Sequence, residues 1–162
     1  MDVTGATETT LDPYSGTLIL SLDECWQLLR GHEVGRLAVS IANHPDIFPI
    51  NYVVDDDVIV FRTSAGTKLA ASVLGYGVAF EIDGYDATAG EAWSVVVKGT
   101  AEQIEGWLDK DRAERLPLFP WNASPKFDFV RIVAEEVSGR RFHVTDHSAW
   151  PLAGTPSLDD QL

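Results

Sequence analysis

At 162 residues with 45% apolar side chains, the chain is sized for one domain with a substantial core. Its net charge of −13 argues against nucleic acid or an anionic membrane surface as a main partner, while leaving room for a small anion held by local cations. No apolar run approaches the roughly 20 residues of a membrane span, and the lone Cys25 excludes an internal disulfide.

The first residues lack the basic and then apolar pattern of a signal peptide, so the cytoplasm is the expected compartment. Residues 1–17 read as a flexible lead-in, 18–150 as the folded domain and 151–162 as a flexible acidic tail. Ser21-Leu22-Asp23-Glu24 has the form of a capping box. Leu22, Cys25, Trp26 and Leu29 recur at helical spacing, and Gly31 suits the position after the last turn, which predicts a helix from Leu22 to Arg30. Cys25, among apolar neighbours, is expected in the core.

From Gly35 the period becomes two: Leu37, Val39 and Ile41 alternate with Arg36, Ala38 and Ser40, as in a strand with one buried face. Asn43-His44-Pro45-Asp46 reads as a turn before a second strand from Ile47 to Val54, and Asp55-Asp56-Asp57 as a solvated hairpin loop. A third strand, Val58 to Thr63, is followed by a short helix from Thr67 to Leu74. Gly77 to Asp83 alternates again, Gly84 to Gly90 reads as a loop, and Ala92 to Glu102 as a long strand with a bulge or close approach at Gly99. A helix from Trp107 to Leu116, an irregular apolar loop through Trp121, and strands Phe127 to Ala134 and Arg140 to Val144 complete the chain. Six or seven short antiparallel strands with few helices predict a mainly β, closed or split barrel, because closure removes exposed edges.

Phe61-Arg62-Thr63-Ser64-Ala65-Gly66-Thr67-Lys68 carries the clearest chemistry. Arg62 and Lys68 supply charge for a phosphate, Thr63, Ser64 and Thr67 supply hydrogen bonds, and Gly66 lets backbone N–H groups approach at a helix start. The spacing is not that of a Walker loop. Helix capping alone is the competing reading of the same residues.

This succession resembles the FMN-binding split-barrel family of pyridoxamine 5′-phosphate oxidase-like proteins, in particular its small actinobacterial and nitroimidazole-reductase-like members. The resemblance spans about Leu20 to Val144. After the first helix it rests on Gly35-Arg36-Leu37-Ala38-Val39-Ser40, Phe48-Pro49-Ile50-Asn51-Tyr52 and the Phe61–Lys68 stretch. Val78-Ala79-Phe80-Glu81-Ile82-Asp83, Trp93-Ser94-Val95-Val96-Val97-Lys98-Gly99 and Ser138-Gly139-Arg140-Arg141-Phe142 complete it.

The resemblance implies a flavoprotein homodimer acting on a small-molecule substrate, with FMN at the subunit interface. It implies that the strand of Pro49, Ile50, Asn51 and Tyr52 borders the flavin ring, that Arg62, Thr63, Ser64, Thr67 and Lys68 hold the phosphate, and that Trp93 and Ser94 also border the flavin. Arg141 is the implied cation near the ring, and Trp121 reads as cover for a barrel end. One departure stands out: oxidase-type members carry two adjacent cations where this chain has Lys68-Leu69, and Arg62 is the candidate replacement. No counterpart of the residues that grip pyridoxal phosphate is evident, which leaves the substrate open.

Three alternatives share the barrel: an F420-dependent reductase, a haem-binding protein with an axial role for His44, His143 or His147, and a non-catalytic flavin-binding or sensing protein. The acidic balance counts against F420, whose polyglutamyl tail calls for a basic groove. A metal site is not expected, because His143 and His147 have helical spacing in a segment patterned as strand and turn.

Overall fold

The structure, a computed structural model, describes residues 3–64, 68–119, 121 and 128–145. In chain order its elements are β1 (Thr10–Leu11), β2 (Leu18–Leu20), α1 (Leu22–Arg30), β3 (Val34–Ile41), β4 (His44–Asp55) and β5 (Val58–Thr63). They continue with α2 (Lys68–Val73), β6 (Gly77–Asp86), β7 (Glu91–Gln103), α3 (Trp107–Glu114) and β8 (Asp128–His143).

All the strands form one antiparallel sheet in the order β1-β2-β8-β5-β4-β3-β6-β7, and a further β7–β8 pairing closes β3 to β8 into a barrel. The split lies along β8. One edge pairs with β7 from Val130 to His143, while the other pairs first with β5, up to Val133, and then with β2, from Gly139.

The gap between those two partners explains the N-terminal segment, which the sequence presents as loose. Thr4 fills it: its N–H donates to Glu135 O at 2.8 Å, and the Val137 N–H donates to Thr4 O at 2.8 Å. Val3 packs on the core, and β1 and β2 form a small ribbon before α1. Unpaired strand edges carry obligatory donors and acceptors, so a polar Thr-rich segment is recruited to satisfy them.

Helix α1 has its predicted bounds and both halves of its capping box, and it buries Cys25, Trp26 and Leu29. It seats closely on β8 because a Cβ on Gly139 would lie 2.6 Å from Cys25 Sγ. The barrel interior is filled by Leu37, Phe61, Phe80, Ile82, Val95, Val97 and Ile132, all essentially inaccessible. A second, smaller cluster of Val60, Ile104, Ala113, Leu118 and Phe129 lies under α3.

Several boundaries differ from the pattern-based expectation. The β3–β4 turn is Ala42-Asn43, both at positive φ, so His44 already pairs with Ile41. Left-handed geometry at both central residues matches the twist of a two-residue hairpin. Strand β6 runs on through Gly84 to Asp86, because Gly84 makes room for an indole: its Cβ would lie 2.5 Å from Trp93 Cζ2. The two last strands expected are one, β8, whose polar middle (Glu135, Glu136, Ser138) is carried by pairing with β7 on both sides of a one-residue shift at Glu135. The expected irregularity at Gly99 is a register shift in that pairing, where a Cβ would meet Val133 O at 1.9 Å.

Candidate functional site

The outer face of the barrel carries a cavity of about 440 Å³ lined by Val34, Pro49, Ile50, Asn51, Arg62, Leu69 and Trp121. That volume is in the range of small-molecule and cofactor pockets. Strand alternation assembles it. On β4, Phe48 and Tyr52 pack with the interior, which turns Pro49 and Asn51 outward. On β5, Ile59, Phe61 and Thr63 are buried, and Arg62 leans out beside them, half-buried.

Arg62 is the cavity's cation. Its guanidinium carbon lies 4.4 Å from the Phe129 ring centroid, and its Nε is buried without a hydrogen-bond partner among the described residues. A buried donor left unpaired costs about 1–3 kcal/mol, which marks this atom as a place where an anionic oxygen would be stabilising. Asn51 lines the cavity, and its Nδ2 donates to Phe119 O at 2.8 Å, which ties Phe119 to β4.

The remaining predicted phosphate residues divide. Thr63 is buried, Ser64 half-buried, and Thr67 lies outside the described residues, as do Ala65 and Gly66. Lys68 is exposed and its Nζ sits 3.0 Å from Asp46 Oδ1, so its charge is already matched within the chain. Tyr52 faces inward: it is buried, its hydroxyl donates to Leu29 O at 2.7 Å, and burial pushes its ionisation well above the ordinary tyrosine range. The Tyr52 N–H is engaged as well, donating to Glu33 O at 2.9 Å.

Trp93 and Ser94 line a separate groove of about 550 Å³ together with Glu81, Asp83, Gly84, Tyr85, Ala92, Phe142 and Val144. Trp93 packs against the barrel core on one side, and its ring is 4.8 Å from that of His32. The His32 ring is fixed in turn, because its Nδ1 donates to Leu28 O at 2.8 Å. Arg141 is the cross-strand partner of Trp93 but does not line the groove. The two cavities share no lining residue, so Pro49, Ile50, Asn51 and Arg62 stand in one place and Trp93 and Ser94 in another.

A family model described as pyridoxamine 5′-phosphate oxidase matches residues 21–141. The chain belongs to that family. The oxidase-family match begins at the α1 cap and ends at Arg141, so it covers every lining residue of the Arg62 cavity and all but Phe142 and Val144 of the Trp93 groove. Among solved structures, an FAD-binding protein from Mycobacterium smegmatis is 38% identical with a TM-score of 0.70, covering 77% of this chain and 99% of that one. An FAD-binding protein from Mesorhizobium loti is 25% identical with a TM-score of 0.62, covering 78% of this chain and 98% of that one. An uncharacterized protein of Mycobacterium tuberculosis is 34% identical, covering 75% of this chain and 83% of its own length.

Within this oxidase-family barrel, sequence reasoning missed Val34 and Leu69 and misplaced Trp121, which lines the cavity and does not merely close a barrel end. Val34 was within reach. Once the two-residue turn is placed at Ala42-Asn43, counting back along β3 sets Val34 opposite Asn51. Nothing local in the sequence signals Trp121, which reaches the cavity through the loop after α3. Of the histidines weighed as haem or metal ligands, His44 starts β4, exposed, and His143 pairs with Glu91 at 3.6 Å. His147 lies outside the described residues, and the described residues hold no cluster of three metal-ligating side chains. No helix among them is long and apolar enough to cross a membrane.

Proposed function

We infer that this chain is a flavin-dependent oxidoreductase that works as a homodimer on a small-molecule substrate. The observation that carries the reading is Arg62: a cation on the wall of a cofactor-sized cavity, with a buried donor that nothing described satisfies. The residues present fit a flavin. Arg62 would hold a phosphate oxygen, the outward backbone of Pro49 to Asn51 would meet the polar edge of the ring, and Trp121 would offer an aromatic face. Similarity to FAD-binding proteins from two bacteria supports the same cofactor class.

The division of the predicted residues supports the dimer. One protomer presents Arg62 with Pro49 to Asn51 on one face and Trp93 with Ser94 in a groove of its own. A two-fold arrangement in which the partner subunit's Trp93 meets the Arg62 cavity would complete each site twice. A bound flavin supplies hydride transfer at its N5, so the electron transfer itself requires no protein acid or base. The chain's own part is to anchor the phosphate, cover the ring and exclude water from it.

A visible absorbance spectrum of the purified protein, followed by titration with FMN, FAD and riboflavin, tests the reading. A flavin-type spectrum at about one flavin per protomer, bleached by a reduced nicotinamide, is the expected result, with a dimer by light scattering. Binding of F420 alone, a Soret band formed only with haemin, or no ligand uptake at all would overturn it.

A further inference from the structure

We propose that a third cavity, between α3 and the outer face of the barrel, binds a small organic cation: an ammonium group on a compact apolar body the size of one aromatic ring. The proposal does not depend on the flavin reading, because this cavity shares no lining residue with the Arg62 cavity or with the Trp93 groove.

The first argument is shape. The cavity measures about 230 Å³, and a space of about 150 Å³ with apolar walls accommodates benzene. Its floor is the outward row of β5 and β8, Val58, Val60 and Val133, with Ile104 beside it. Its roof is α3, which buries Ala113 alone among its residues while Trp107 and Leu108 are 77% and 62% exposed. An amphipathic helix ordinarily turns its largest apolar side chains to the core. Here the smallest one faces the floor, and the space beneath it stays open. Apolar walls with no atoms opposite forgo dispersion contacts that a ring would restore.

The second argument is charge. Asp55, Asp56 and Asp109 line the cavity against Arg112 and Arg131. Arg112 is shared between Asp55 at 2.7 Å and Asp56 at 2.8 Å. Arg131 is drawn to Glu102, outside the lining, at 3.2 Å, and approaches Asp109 only to 3.9 Å. The Asp109 carboxylate therefore makes no hydrogen bond among the described residues. Both guanidinium groups are engaged and carboxylates are in excess, so an anion is repelled. An ammonium group would give Asp109 the hydrogen-bonded partner it lacks while its apolar body rests on the valine floor.

Titration of the full-length protein with benzylamine decides the matter, with benzyl alcohol and benzoate as neutral and anionic carriers of the same ring, read by calorimetry and ligand-detected NMR near neutral pH. Benzylamine is expected to bind about fivefold more tightly than benzyl alcohol, as one exposed ion pair allows, with benzoate the weakest. Asp109→Asn, at an exposed rim position, is expected to remove that advantage. Ala113→Leu, which fills the space from the roof, is expected to abolish binding of both, and the Asp109→Asn comparison stands even where the larger side chain lowers stability. Saturation with FMN is expected to leave benzylamine uptake unchanged. Benzyl alcohol or benzoate binding as tightly as benzylamine would overturn the preference for a cation. No uptake of benzylamine, unaltered uptake in Asp109→Asn, or displacement by FMN would overturn the site itself.

Discussion

Arg62 and Phe129 are cross-strand partners on β5 and β8, and the guanidinium lies over the ring at 4.4 Å. The contact does two things. It presses the Arg62 stem onto the small cluster that includes Phe129 and Val60, and it sets the guanidinium at the cavity wall with Nε unpaired. An arginine fixed in this way loses little entropy when an anion arrives, so its hydrogen bonds to that anion keep most of their strength.

Arg62→Ala should therefore separate ligands by whether they carry phosphate. Hydrogen bonds to charged groups contribute about 1.5–3 kcal/mol, so FMN and FAD affinities should fall about 10- to 100-fold. Riboflavin should stay within about twofold, and Lys68→Ala should cost the phosphorylated flavins much less than Arg62→Ala, because Lys68 is already paired. Fluorescence titrations of the two variants check this, and equal losses across all three ligands would mean that Arg62 acts only through packing.

Tyr52→Phe should destabilise the fold and spare the ligand. The variant leaves Leu29 O without the donor it now has at 2.7 Å, deep under α1. A buried carbonyl deprived of its partner costs about 1–3 kcal/mol, or several degrees of melting temperature at this chain length. Thermal unfolding should show that drop with flavin affinity unchanged. A large affinity loss at constant stability would instead move Tyr52 into the site.

Gly99→Ala tests the closure of the barrel. An added Cβ would sit 1.9 Å from Val133 O, which is backbone and cannot step aside as a side chain would. The β7–β8 ladder shifts register at this point, so relief requires parting the seam that closes the sheet. A loss of about 3 kcal/mol or more is expected, read as a lower denaturant midpoint. A variant as stable as the parent would show that the bulge can be re-formed elsewhere.

Cys25 predicts a pH dependence. Burial first, and then the charge of Glu24, push its thiol from 9.0 up to about 11. The folded state then holds this proton more tightly than the unfolded chain does. The associated stability is fully present below about pH 9 and is lost as the pH rises toward 11. Melting curves of the parent and Cys25→Ala across that window should converge as the pH rises. Parallel curves would mean that the thiol ionises freely in the fold.

Much of the fold is legible along the chain, for local reasons. The α1 capping box, the alternation of Leu37, Val39 and Ile41, and the β-branched run of β5 each express backbone chemistry within a few residues, and the structure keeps them. The cavity was half legible. Pro49, Ile50, Asn51 and Arg62 do converge, because β4 and β5 are neighbours with regular alternation. Lys68 was expected at the phosphate on residue type and position, and Tyr52 beside the ring through the backbone of its strand. Where their side chains go, to Asp46 and to Leu29, depends on partners distant in sequence.

By itself the sequence determined the strand periods, the α1 cap and the family, since these depend on neighbouring side chains and on motif order. Only the tertiary structure decided the rest. Which edge of β8 each strand takes, why Thr4 is recruited to the gap, and how Trp121 comes to stand beside Arg62 all follow from register and closure. Those are long-range pairings, whose energy appears only when the two strands meet.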